Sequence, residues 1–439
     1  MSDSKCSHKE AWSLIIEGDN ESALKMAGAM LTESPDDLFS WYILSRSLYY
    51  LGEKASAIKN LKNVSIAMAK DGHPVWALTS ALELREFGED PAPVFTKIAG
   101  LYSKNSKHIE DMEVLPPRPP LSDLPPWPKD LPIAEAIEKA TAQMAVAWGE
   151  AMTNRNSDSK LPALPLFSSL DEDSFVKLAD SLEPVLVKPG QKVINEGDLG
   201  MEMFIIAFGL MDIERLDNND QTTLVKLATL GPGAFFGEMA IVSRTSRAAS
   251  VTAKESALLL KADKAKLEQL ALSSPQIADV LIAFCHARML KNLIQISPVL
   301  NFVPVKSRAD LIARFHTDYF SGGTQIIVEG DPPKGLFLIV SGQVSILKDI
   351  DNENSQVAVL SPGDLFGEIS LILQKPSTAT VTAAEDTAVL MLEVDDFKKV
   401  TDEFPELLKG AFDIAIEREK KNNSILAQKT VTGDGTIIL

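Results

Sequence analysis

In the stretch FFGEMAIVSRTSRAASV, Phe235 to Val251, three residues have the types and the spacing to act together: Gly237, Glu238 and, nine positions after the acid, Arg247. A glycine lets the backbone approach an anion. Residues Glu238 to Val242, Met239 and Ala240 among them, suit a single helical turn whose unpaired N–H groups point at a phosphate. The arginine adds a permanently charged planar fork matched to phosphate oxygens. A carboxylate repels a bare phosphate but accepts a hydrogen bond from a sugar hydroxyl beside one. Taken singly, Arg247 reads as a surface residue of a β turn and Glu238 as a helix-start acid. At this spacing, and followed by Ala248 and Ala249, they ask for a phosphorylated sugar with a free 2′-hydroxyl.

The stretch LFGEISLILQKPSTATV, Leu365 to Val381, repeats the arrangement with Gly367 and Glu368, but Ser370 stands for Ala240, and Ser377 and Thr378 stand for Arg247 and Ala248. Serine offers a neutral hydrogen bond, worth about 0.5–1.5 kcal/mol against about 1.5–3 for a charge-assisted one. That difference alone is about tenfold or more in affinity. Lys375, two positions before Ser377, is expected to face solvent, so weak or absent binding is expected in this copy.

The elements that must position these residues are duplicated as well. VINEGDLGMEMFIIAFGLMDI near 193 to 213 is matched by IIVEGDPPKGLFLIVSGQVSI near 326 to 346, with Gly197 and Gly209 answered by Gly330 and Gly342 at an offset of 133. LGPGAFFGE is matched by LSPGDLFGE at an offset of 130, so the second connection is three residues shorter. A length change confined to a turn implies one fold used twice. Short runs of Val, Ile, Leu and Phe between Gly, Asp and Asn turns read as antiparallel strands. Helices flank the copies: SSLDEDSFVKLADSL before the first, with Ser169 and Glu172 as a capping box, and SPQIADVLIAFCHARMLKNLIQ after it.

Farther upstream, Leu14, Gly18 and Ala23 recur as Leu48, Gly52 and Ala57, 34 positions on, the period of helix-turn-helix repeats. Pro35 closes the first unit, and KDGHPVWALTSALELREFG predicts one further helix as a cap. PPRPPLSDLPPWPKDLP, Pro116 to Pro132, has eight prolines in seventeen residues and reads as a stiff spacer, with a docking motif as the alternative. Ile133, Ile137, Ala140, Met144, Trp148 and Ala151 share one face of an amphipathic helix that must pack on the helical repeats or on the β unit. The polar loop TNRNSDSK ends it.

Trp41, Leu44, Leu48, Gly52, Ala57 and Leu61 resemble the tetratricopeptide pattern, over about 80 residues. The two β units, over about 250 residues, each resemble a cyclic-nucleotide-binding domain, in tandem as in regulatory subunits of the cyclic AMP-dependent kinase. The resemblance implies a multidomain α+β chain: N-terminal α-helical, tetratricopeptide-like repeats, then two tandem β-barrel or jelly-roll domains with flanking helices. The expected boundaries are repeats 1–90, linker and amphipathic helix 91–160, first domain 161–295, second, degenerate domain 296–425 and tail 426–439. By the same resemblance Glu238 accepts a bond from the 2′-hydroxyl and Arg247 pairs with the exocyclic phosphate oxygen. Gly237, Ala240 and Ala248 give backbone contacts, Met239 lies in the same turn, and Ser250 is adjacent. Ala248 stands where cyclic GMP-selective members tend to carry threonine, which favours cyclic AMP over cyclic GMP. One departure is Ser246 in place of the usual proline, with Arg244 nearby. Gly367, Glu368, Ser370, Ser377 and Thr378 mark a weak or lost second site.

At 439 residues, with 45% hydrophobic and 24% charged, the chain is sized for about three folded units and is not disordered throughout. A net charge of -18 argues against nucleic acid and anionic membranes as partners. Cys6 and Cys285 are the only cysteines, so a reducing compartment is expected. The start lacks an apolar signal core, and no run approaches the roughly 18 apolar residues of a membrane span, so the expected location is cytoplasmic. His8, His73, His108, His286 and His316 form no metal spacing, and no nucleophile or NTPase motif occurs. The expectation is a non-enzymatic sensor, without cofactor, that uses its helical repeats to engage a protein client. The alternatives are a structural scaffold and a kinase-regulatory-subunit-like inhibitor. The inhibitor requires paired arginines ahead of the first β unit, and neither PPRPP nor TNRNSDSK supplies them.

Overall fold

The computed structural model describes residues 7–110, 130–150, 160–216, 224–238, 247–297, 300, 303–350, 353–414 and 416. The chain separates into two compact units. One comprises Met1–Glu196, Met201–Glu238 and Ala249–Phe284; the other comprises Gly197–Gly200, Met239–Ala248 and Cys285–Leu439.

The first unit opens with six helices: α1 (His8–Glu17), α2 (Asn20–Glu33), α3 (Leu38–Tyr50), α4 (Lys54–Lys70), α5 (Pro74–Glu86) and α6 (Ala92–Tyr102). Ser7, Asp19 and Asp37 begin the first three, each side chain accepting an N–H that the helix itself cannot satisfy. Gly18 and Gly52 end helices with φ of 83° and 105°, a left-handed conformation that a Cβ would strain. Trp12, Trp41, Leu44, Leu48, Ala57 and Leu61 are buried between the helices. The helical region runs past the expected boundary at residue 90, because α6 buries Phe95, Ile98 and Tyr102. Pro91 and Pro93 look like linker residues, but they sit at the start of α6, where no backbone donor is needed. The Tyr102 hydroxyl donates to the Ala69 carbonyl at 2.7 Å, and burial pushes its ionisation upward.

Residues 111–129 and 151–159 lie outside the described residues, and with them most of the proline-rich segment, Trp127 and TNRNSDSK. The residues that bracket this stretch are paired: β1 (Ile109–Glu110) and β2 (Leu161–Pro162) run parallel, Ile109 opposite Leu161. Ile109 and Leu161, at the two ends of this stretch, are therefore neighbours. Within it, α7 (Ile133–Glu150) buries Ala136, Ala140 and Met144. Of its two expected packing surfaces it uses the N-terminal helical region, lying on α2 with Gln143 donating to Thr32 at 3.2 Å.

Next comes α8 (Glu172–Ser181), packed on α6. Its cap is Asp171, which accepts from the Ser174 N–H at 2.8 Å, and not the expected Ser169. Ser169 is occupied one turn earlier, in a 3-10 turn over Phe167–Ser169, while Asp171 has the extended backbone a cap needs.

The first barrel is built from β3 (Glu183–Val187), β4 (Lys192–Ile194), β5 (Glu202–Phe208), β6 (Met211–Leu216), β7 (Leu224–Leu230), β8 (Phe235–Phe236), β9 (Ser250–Ala253) and β10 (Ala257–Asp263). They form two four-stranded sheets, β3-β10-β5-β8 and β4-β9-β6-β7. The second barrel repeats this with β11 (His316–Phe320), β12 (Gln325–Ile327), β13 (Gly335–Ser341), β14 (Val344–Ile350), β15 (Glu353–Leu360), β16 (Leu365–Phe366), β17 (Thr380–Ala383) and β18 (Thr387–Glu393). Its sheets, β11-β18-β13-β16 and β12-β17-β14-β15, have the same order. The two cores correspond residue by residue: Phe204, Ile206 and Val251 in one, Phe337, Ile339 and Val381 in the other. Each holds a stacked pair, Phe204 with Phe236 at 5.1 Å and Phe337 with Phe366 at 4.8 Å. Gly209 and Gly342 occupy matching turns where a Cβ would come within 2.6 and 2.5 Å of the Ser256 and Asp386 carbonyl oxygens, so the alternation of the flanking strands depends on both.

Candidate nucleotide-binding cassettes

The cassette of the second barrel follows β16, whose Phe366 lies opposite Phe337 of β13. Gly367 turns the chain with φ of 85°, and a Cβ there would meet the Gly335 carbonyl oxygen at 2.4 Å, so only glycine fits. A six-residue helix, Glu368–Leu373, starts immediately after it. Glu368, Ser370 and Ser377 are all buried, Thr378 is half-buried and Lys375 is exposed, as its sequence context predicts. Lys375 meets Ser370 only through its backbone N–H, which donates to the Ser370 carbonyl at 3.2 Å.

Ser377 is held from both sides by main-chain bonds: its N–H donates to the Asp331 carbonyl and its carbonyl accepts from the Gly330 N–H, each at 2.8 Å. Arg247 is held in the same way by Asp198 and Gly197, again at 2.8 Å in both bonds. The backbone thus presents both side chains from one frame. The first barrel places a guanidinium there and the second a hydroxyl.

In the first barrel Gly237 has φ of 80°, matching Gly367. Glu238 and Arg247 are only 2% and 7% exposed, a degree of burial that charged groups tolerate when a polar partner is at hand. Ala248 is exposed. Met239, Ala240, Arg244 and Ser246, with the expected single helical turn, lie outside the described residues. Ser250 is buried, and its hydroxyl accepts from the Glu196 N–H at 3.0 Å. Thr380 does the same for Glu329 at 3.0 Å, so this bond belongs to the frame of both barrels.

Two framing residues escape attention in the sequence. The carboxylates of Glu196 and Glu329 accept from the Leu216 N–H at 2.8 Å and the Asp349 N–H at 3.0 Å, tying each cassette's partner loop to the next hairpin. The signal is present in the shared tripeptide Glu-Gly-Asp at 196–198 and 329–331, whose acids look like ordinary turn residues. Among the described residues no cluster of His, Cys, Asp and Glu has metal-binding geometry, and no helix is long and apolar enough to cross a membrane.

Residues 184–274 and 317–404 match the family model of the cyclic nucleotide-binding domain. Each barrel thus contains one segment that matches this domain. It is similar to the cAMP-dependent protein kinase regulatory subunit of Eremothecium gossypii, 31% identical over 244 residues, covering 56% of this chain and 49% of that protein. The Aspergillus niger regulatory subunit is 29% identical over 254 residues, covering 56% and 59%. The chain thus spans about half the length of the relatives it matches. Among solved structures, the regulatory domain of Toxoplasma gondii PKA with cAMP is 24% identical, covers 56% of this chain and 90% of that one, and superposes with a TM-score of 0.27.

Proposed function

We propose that the protein is a non-enzymatic cyclic AMP sensor of the cytoplasm, in which the first barrel binds the nucleotide and the second binds it weakly or not at all. The observation that carries this reading is the shared main-chain frame around Arg247 and Ser377, because it makes the side chain the difference between the two cassettes. Arg247 pairs with the cyclic phosphate, Glu238 accepts from the ribose 2′-hydroxyl, and Gly237 with Met239 and Ala240 brings backbone groups to the ligand. Ala248 leaves out the hydroxyl that favours cyclic GMP. Binding biases the cassette toward one of its arrangements, and a protein client that prefers that arrangement tightens nucleotide binding by the same factor.

The similarity to kinase regulatory subunits supports a second reading of the client as a protein kinase. Calorimetric titration of the purified chain with cyclic AMP and with cyclic GMP tests the ligand assignment. Heat at about one equivalent of cyclic AMP is expected, and silence with both nucleotides would leave only the scaffold.

A further inference from the structure

Within the first unit, four aromatic rings meet where the helical array reaches the first barrel. Phe208, the last residue of β5, stacks on Phe39 with centroids 4.9 Å apart and planes at 15°, and lies edge-on to Trp12 at 5.6 Å. Trp76 completes the cluster, 4.7 Å from Phe39, and donates its indole N–H to the Ala207 carbonyl. Phe39, Trp76 and Phe208, with Tyr42, Met68 and Leu258, leave a space of only about 10 Å³ between them, the size of a single water. Phe208 fills the cleft.

Polar contacts surround the cluster. The hydroxyls of Ser13 and Ser256 are 3.2 Å apart, Lys9 pairs with Glu255 at 2.7 Å, and Arg85 donates to the Asp180 carbonyl at 2.7 Å. The barrel's own duplication is the internal control. At the offset of 133, Phe208 corresponds to Ser341 and Leu210 to Gln343, so the copy without a helical array carries small or polar residues at this turn. Phe208 is also absent from the first barrel's core, which is made by Phe204, Ile206 and their neighbours. The fold therefore does not need an aromatic here, whereas the array does.

Strand direction places the contact. Phe204, near the start of β5, lies opposite Phe236, two residues before Glu238, while Phe208 is at the far end of the same strand. The array is thus seated on the end of β5 remote from Glu238.

We infer that the aromatic cleft of the helical array is an intramolecular receptor for Phe208. The array is a fixed subdomain of the first barrel, and this cleft is not the face that meets a client.

The test uses the full chain in a Cys6→Ser background. Ser13→Cys with Ser256→Cys should form an intramolecular disulfide in most molecules under mild oxidation, read by peptide mapping. Phe208→Ser, the residue of the second copy, and Trp76→Ala should each speed amide exchange in α1 and α5 at least about tenfold while leaving β13 and β18 unchanged. Should Phe208→Ser also loosen β10, Trp76→Ala decides, because it leaves the barrel sequence intact. Absence of the crosslink, or unchanged exchange in α1 and α5 in the Trp76→Ala chain, would overturn the inference.

Discussion

The two barrels share strand order, core residues, turn glycines and the hydrogen bonds around their cassettes, yet differ in what they present: Arg247 against Ser377 at the cassette, Phe208 against Ser341 at the opposite turn. The shared features are those a barrel needs to close and pack. Of the unshared ones, Phe208 meets the helical array, and Arg247 is the residue proposed to meet the ligand. In a duplicated fold, the positions that diverge while their backbone bonds stay fixed are where function has been gained or lost.

Removing the charge at the cassette should break the comparison most strongly. Arg247→Ala is expected to weaken cyclic AMP binding about 30-fold to several thousandfold, the 2–5 kcal/mol typical of losing one partner from a buried charge-assisted contact. Ser377→Ala should leave overall affinity nearly unchanged. Titration of the two variants side by side checks this, and equal small losses would dissolve the distinction between the barrels.

Restoring the charge should sharpen the comparison. Ser377→Arg, set in a frame that already contains Gly367 and the buried Glu368, is expected to strengthen the second site by about tenfold or more, the gap between a neutral and a charge-assisted bond. A second binding equivalent should become detectable by calorimetry. A variant that gains nothing would show that the second pocket has diverged beyond its arginine position.

The shared framework makes a prediction of similarity. Gly209→Ala and Gly342→Ala each force a Cβ against a carbonyl at positive φ and should destabilise their barrels by about 1–3 kcal/mol, seen in thermal unfolding. A large loss in one barrel with none in the other would mean that the two turns are not equivalent.

The smallest effect concerns an ion triad found in the first barrel alone. Hydrogen bonds from Lys261 and then Lys266 hold the Glu183 carboxyl down to about 2, whereas the second copy has His316, Met391 and Asp396 at these positions. Because the folded-state value is lowered, the stabilisation is full above the ordinary glutamate range, which lies near 4.5, and is lost as pH falls from there toward 2. The triad is partly exposed, so Glu183→Gln should cost only about 0.2–1 kcal/mol at neutral pH. The difference from wild type in denaturant unfolding should shrink as the solution is acidified through that window.

Much of this was legible in the sequence. Gly197, Gly209, Gly330 and Gly342 announce the duplication because backbone at positive φ tolerates few alternatives, and Gly237, Glu238 and Arg247 are chemically specific at their spacing. The amphipathic face of α7 was readable too, but its partner α2 was not, since periodicity reports that a face is buried and not what covers it. The helix α6 was hidden by prolines that start helices as readily as they break them. Phe208 was hidden by its strand, where an aromatic reads as core, and only the tertiary structure shows that it serves the helices. Adjacency in the sequence suggests a ligand role for Ser250, but nothing in the sequence announces that its hydroxyl accepts from the distant Glu196 N–H.

The most direct test is amide exchange of the wild-type chain at saturating cyclic AMP, read separately over residues 237–250 and 367–380. The account predicts strong new protection in the first segment and little or none in the second. Protection of both segments alike, of the second alone, or of neither would contradict it.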